Sequence, residues 1–258
     1  MAAVIELVHV DVSGKGNPIL RDLSLAIEEG ETVVFMGSAG SGKSTLLKAA
    51  AGLLVPDQGR VLFRGKDLAR LSRDEEQEFR AMSAFVFQDA ALWSNQSILE
   101  NLALPLRLHR HSITGAELER SARKALEMAG FEGDPRDRPA VLSMGERRLV
   151  GLARALVLDP ELVFLDEPTA YLDETATGRI FEVLAQLRAH GKTLVVVSAS
   201  SSFVSRSADR LGIVRDGSLV AYGSYEEAVE WSDVSLRAVT GRLRPRQEAW
   251  LEPEEDGR

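Results

Sequence analysis

Residues 32–45 read Thr-Val-Val-Phe-Met-Gly-Ser-Ala-Gly-Ser-Gly-Lys-Ser-Thr. The opening apolar run, rich in β-branched residues and preceded by a Glu-Glu-Gly turn at 28–30, reads as a short buried strand. Gly37 to Thr45 then match the spacing G-x-x-x-x-G-K-[ST], with Gly37, Gly42, Lys43 and Ser44 in register. That spacing carries a mechanism. Glycines let successive backbone N–H groups curl around phosphate oxygens, and the N-terminus of a following helix adds its dipole. Lys43 is placed to reach the β- and γ-phosphates, and the Ser44 hydroxyl to ligate Mg2+. A helix is expected from about Lys43 to Ala51, with Gly52 as its stop signal. A plain Gly/Ser turn would produce the same letters in roughly one chain of this length in a hundred. The strand before and the helix after favour the phosphate reading, with Gly37, Ser38, Ala39, Gly40, Ser41, Gly42, Lys43, Ser44 and Thr45 as candidate contacts.

Outward from this loop, strands and helices alternate. Ile5, Leu7, Val8, Val10 and Val12 suggest a first strand of mixed facing, and Leu23, Leu25 and Ile27 a half-buried second. Residues 56–59 read as a turn and 60–65 as a strand. The middle, roughly 67–148, changes character: a charged helix within 73–82, then an amphipathic helix at 116–130 with Leu118, Ala122, Leu126 and Ala129 on one face. A loop at 133–139 leads to a helix from about Gly145 to Leu158. Then come a strand at 162–166, a helix over about 175–190, a strand at 193–198 and a hairpin at 211–223. This alternation predicts an α/β fold around a parallel sheet, with the helical middle inserted between its halves. Residues from 241 onward are polar and Pro-containing, and are expected to be loosely ordered alone.

Composition narrows the function. The 258 residues are 45% hydrophobic and 27% charged, ordinary globular usage. The net charge of −8 argues against nucleic-acid binding, which needs a basic face. With no cysteine, disulfides, thiolate metal sites and Cys nucleophiles drop out. Four scattered histidines, His9, His109, His111 and His190, do not suggest zinc. No stretch approaches the ~18 apolar residues of a membrane span, and the N-terminus does not read as a signal peptide.

Leu-Val-Phe-Leu-Asp-Glu-Pro at 162–168 complements the loop. Four apolar residues run into Asp166, at the strand end that lies beside a phosphate loop in sheets of this kind. Asp166 would hold Mg2+, and Glu167 would polarise an attacking water.

With these motifs in order, the sequence resembles the ATP-binding-cassette (ABC) ATPases over about residues 4–225. Gln88, in Ala-Phe-Val-Phe-Gln-Asp, resembles that family's Q-loop glutamine, which touches Mg2+ and water and reports to a membrane partner. Leu142–Ser143–Met144–Gly145–Glu146 resembles the family signature, and Ala170–Tyr171–Leu172–Asp173 its D-loop. The resemblance implies a P-loop NTPase cassette: a RecA-like, mostly parallel sheet with antiparallel N-terminal strands and a helical subdomain at about 92–148, within an ATPase domain of residues 1–240. It implies ATP and Mg2+ as ligands, with Ser44, Gln88 and Asp166 toward the metal and Glu167 and Gln88 in catalysis. It also implies a dimer with a second cassette, identical or different, in which Ser143, Gly145 and Asp173 complete the partner's nucleotide site. Transmembrane permease subunits would dock near Gln88–Trp93, at the cytoplasmic face of the membrane. A narrower similarity, in 87–109 and 220–245, is to lipid-transport ATPases of the maintenance-of-lipid-asymmetry (Mla) type, which serve transporters with MCE-type substrate-binding proteins.

Three positions depart from the family pattern. Met144 adds bulk where a residue without Cβ normally approaches phosphate. Val12, Ser13 and Gly14 occupy the region of the adenine-stacking aromatic, and His9 reads as an ordinary strand residue. Ala199 follows Ser198, where the family's switch histidine belongs. The expected function is therefore ATP hydrolysis for a transporter, at a low rate. The alternatives are a degenerate nucleotide-binding subunit with a regulatory role and the ATPase of another importer. A soluble ABC protein of translation or DNA repair fits less well, because those carry tandem cassettes or long coiled coils.

Overall fold

The computed structural model describes residues 3–110 and 112–231, with 236 and 243. The polar extension expected at 241–258 lies outside the described residues apart from Leu243, as does His111.

Two sheets organise the chain. In the first, β1 (Ala3–Gly14) pairs antiparallel with β2 (Asn17–Glu28) on one side and β4 (Gln58–Phe63) on the other, and the two-residue β5 (Lys66–Asp67) closes the order β2-β1-β4-β5. The second follows the order β10-β9-β3-β8-β7-β6. Here β3 (Thr32–Met36), β6 (Ser83–Val86), β7 (Leu162–Asp166), β8 (Thr193–Val197) and β9 (Arg210–Arg215) run parallel, and β10 (Ser218–Ser224) turns back against β9. Every residue of β3, β7 and β8 is buried, which explains their unbroken apolar runs.

Helices cover the sheets: α1 (Lys43–Ala50), α2 (Arg73–Met82), α3 (Ile98–His109), α4 (Gly115–Met128), α5 (Met144–Leu156), α6 (Glu174–Ala189), α7 (Ser201–Ser207) and α8 (Tyr225–Glu230). Between β6 and β7 the chain is helical, and α3, α4 and α5 pack through Leu102, Leu106, Ala122, Leu126, Leu149 and Val150. Alternate residues of each central strand feed two cores. Val34 and Met36 of β3 face the core of α3–α6, while Val33 and Phe35 face the first sheet and α1.

Two local readings need correction. The strand expected at 60–65 spans Gln58–Phe63, because Arg64 and Gly65 turn the chain with positive φ. Arg64 then bridges Glu29 and Glu161, tying the first sheet to the base of β7. His9 is not an ordinary strand residue. It sits in a bulge with φ 50°, where the register against β4 shifts between Val8 and Asp11, and its Nδ1 lies 2.6 Å from Asp22 Oδ1.

Candidate nucleotide site

The loop 37–45 lies at the C-terminal end of β3, which has parallel neighbours, β9 and β8, on its two sides. It needs glycine where other backbone crowds it. A Cβ on Gly37 would stand 2.1 Å from the Val214 carbonyl oxygen, and one on Gly42 2.8 Å from that of Ile19. Gly42 is the N-cap of α1, and no side chain caps this helix or places an acid in its first turn. Its first N–H groups are therefore open to an external acceptor. The Ser41 hydroxyl is buried without a partner among the described residues. Lys43 Nζ folds back on its own loop, donating to the carbonyls of Gly37 at 2.9 Å and Ser38 at 2.8 Å. Burial pulls its pKa below the usual lysine value, against the opposing pull of Glu167 and Asp166.

Parallel strands bring the second motif to the same edge. Ser44 Oγ donates to Asp166 Oδ1 at 3.0 Å, across 122 residues of sequence. Glu167 follows with φ 48°, its N–H donating to Val197 O. Its carboxylate accepts from the Ala199 N–H at 3.1 Å. Burial pushes the Glu167 carboxyl up, while the Ala199 bond, Lys43 and Arg148 pull it down and Asp166 adds to the rise. Val86 pairs with Leu165, and Gln88 follows two residues later, exposed in the turn after β6. The set is an uncapped helix end, an ammonium without a carboxylate bond, two hard oxygen donors in contact and a half-buried carboxylate. It suits a polyphosphate with a divalent cation.

Other sequence candidates lie apart from this cluster. Ser143 is the N-cap of α5 in a closed capping box: its hydroxyl donates to Glu146 Oε2 at 2.7 Å and accepts from the Glu146 N–H. No hydrogen bond joins it to loop 37–45 among the described residues. Met144 beside it is 57% exposed. Gly145 faces α6, where an added Cβ would meet Ala176 Cβ at 3.0 Å. Asp173 caps α6 by accepting from the Ala176 N–H at 2.7 Å. Trp93 is 54% exposed, so it does not belong to the core.

Two features escape sequence reading. One is the Ala199 N–H on Glu167, since any residue supplies a backbone donor. The other is Arg148, buried on α5 with its Nη2 on Ala170 O. Its only signal is a charge on the helix face that also carries Leu152.

Residues 20–170 match the family model described as ABC transporter. The chain belongs to the ABC transporter ATPase family. Among its relatives, the cassette is 35% identical to the intermembrane phospholipid transport ATP-binding protein MlaF of Haemophilus influenzae, over 86% of this chain and 84% of MlaF. It is 33% identical to the probable ribonucleotide transport ATP-binding protein mkl of Mycobacterium leprae, over 88% of this chain but only 65% of mkl. It is 38% identical to the glycine betaine/proline betaine transport ATP-binding protein ProV of Escherichia coli, over 81% of this chain and 52% of ProV. The chain thus spans most of MlaF but less than two thirds of mkl and ProV. Among solved structures, the cassette MJ0796, a dimer in a post-hydrolysis state bound to ADP and Pi, superposes with a TM-score of 0.80 at 32% identity, covering 85% of this chain and 98% of that one. The mixed α/β cassette fold expected from the sequence is the fold of these structures.

Proposed function

We propose that this ATP-binding subunit hydrolyses ATP to drive a membrane transporter that moves phospholipid. The observation that carries the catalytic half is the Ser44–Asp166 hydrogen bond with Glu167 next in sequence and Lys43 within its field. Residues 37–45 hold the triphosphate, with Lys43 turning from its own carbonyls to the phosphate oxygens. Ser44, Asp166 and Gln88 would hold Mg2+, which when bound neutralises charge on the β- and γ-phosphates. The Glu167 carboxylate, fixed by the Ala199 N–H, accepts a proton from water as the water oxygen bonds to the γ-phosphorus. The bond from phosphorus to the β–γ bridging oxygen breaks, leaving ADP and phosphate.

Ser143, Gly145 and Asp173 stand away from their own loop, which supports a role across an interface with a second cassette. Residues 89–94, with Trp93 exposed, form the surface for a permease subunit. No helix among the described residues is long and apolar enough to cross a membrane, which fits a peripheral subunit on the cytoplasmic face. Likeness to MlaF supports phospholipid as cargo and an MCE-type partner, whereas mkl and ProV carry the names of other substrates.

A second reading has one observation in its favour. Ala199 offers only a methyl group at the place of a switch histidine, which suits a slow or regulatory subunit. The test is ATP turnover by the chain with its native membrane partners, captured from membranes by affinity tag, with lipid analysis of the complex. Turnover abolished by Glu167→Gln and co-purified phospholipid are expected. Capture of a permease with a water-soluble cargo protein and no lipid would sink the phospholipid half.

A further inference from the structure

One face of α5 follows the turn that carries Gln88. Arg148, Gly151 and Arg154 are spaced three apart along the helix. Arg154 donates to Ala91 O at 2.7 Å and Ala90 O at 2.8 Å. A Cβ on Gly151 would stand 2.8 Å from Ala90 Cβ, so helix and turn are in direct contact. The turn is tightly wound, with positive φ at Ala90 and Ala91 and the Ala91 N–H on Asp89 Oδ1 at 3.1 Å. The two segments are thus already joined at two points. The third is open. Arg148 is 6% exposed, and its Nη2 reaches Ala170 O at 3.4 Å, but its Nη1 is buried without an acceptor among the described residues. A buried guanidinium N–H without a partner is costly, so a nearby acceptor is implied. The charges acting on Arg148 are Asp89 first, then Asp166 and Glu167.

We propose that Arg148 is a positioning residue for hydrolysis, its Nη1 closing on the Asp89 carboxylate so that the Gln88 turn, the helix behind the signature and the 167–173 segment shift as one body. The proposal rests on the nucleotide reading given above. Through Ala170, the same guanidinium touches the segment between Glu167 and Asp173 and stands in the field of Glu167. Without the Nη2–Ala170 bond, the segment that carries Glu167 loses its tie to α5, so turnover falls while nucleotide binding is kept.

The test measures MgATP hydrolysis and nucleotide binding by the 258-residue chain, wild type against Arg148→Gln, Arg148→Lys and Asp89→Asn. Arg148→Gln should lower kcat roughly tenfold and leave KM within about twofold. Arg148→Lys should restore only part of kcat, because an ammonium lacks the two-pronged reach of guanidinium. Asp89→Asn should lower kcat roughly threefold and add nothing in the Arg148→Gln background. Changes in kcat and KM together, or additive effects of the two sites, would overturn the proposal. Asp89 is exposed, so if Arg148→Gln does not fold, an unchanged kcat in Asp89→Asn overturns it instead. A wild type that binds no MgATP overturns the nucleotide reading, and this proposal with it.

Discussion

Lys43 contributes little to its own chain: two hydrogen bonds to carbonyls of the loop it follows, in a place where burial already lowers its pKa. Lys43→Ala should therefore leave stability within about 1 kcal/mol while weakening ATP binding roughly 10- to 100-fold, the range for charge-assisted hydrogen bonds. Denaturant midpoints and nucleotide titration check both halves, and unchanged ATP affinity would end the phosphate-loop reading. Ala199 makes the complementary case. The neighbouring serines are committed to the local turn: Ser198 Oγ accepts from the Ser200 N–H, and Ser200 Oγ caps α7 by accepting from Phe203. Neither hydroxyl is a ready substitute for a histidine. Losing one polar contact to developing charge typically costs ~10²–10³ in rate. Ala199→His should raise kcat at least tenfold if Glu167 is the base. Ser200→Ala should cost α7 about 1 kcal/mol of capping and leave turnover in place. Brisk wild-type turnover abolished by Ser200→Ala would show the reverse. At this scale the loop and Asp166 were legible because their chemistry resides in side chains at fixed spacing. The Ala199 N–H and the Arg148 junction were not, since one is backbone and the other depends on distant segments meeting.

Elements were legible where apolar period and caps agreed. The buried strands announced themselves, and Thr114 caps α4 in a box closed by Glu117. Helix α3 was harder, because Pro105 lies inside it and its apolar residues run nearly continuously. Strand β6 has four residues, too few to show a period. For α5 the box on Ser143 has two consequences. Ser143→Ala should lower stability by about 1 kcal/mol, read as a fall in urea midpoint without change in slope. Ser143 also holds the Glu146 carboxyl below the usual carboxylate range. A depressed folded-state pKa means this contribution is present above the ordinary glutamate value and fades as pH falls through the lowered one. The Ser143→Ala deficit should therefore shrink in acid, and a deficit independent of pH would contradict the box.

At the scale of the whole molecule, no hydrogen bond joins the signature serine to the phosphate loop among the described residues, while the similar cassette MJ0796 is a dimer. Glu167→Gln keeps the shape of the base and removes its proton acceptance. With saturating ATP and Mg2+ this variant should double in mass by light scattering. A monomer under those conditions, and again in complex with the permease, would refute the two-chain site.

The central strands have further consequences through their two faces. Since Val33 and Phe35 serve one core while Val34 and Met36 serve the other, neither core can be dismantled without exposing the opposite side of the same strand. The N-terminal sheet and the helical layer should then lose structure in a single cooperative transition, with calorimetric and van't Hoff enthalpies in agreement. Nucleotide gripped at the end of β3 would raise the melting temperature of the whole chain, including helices far from the phosphates. Thermal shift is thus a reporter of ligand occupancy anywhere in this fold.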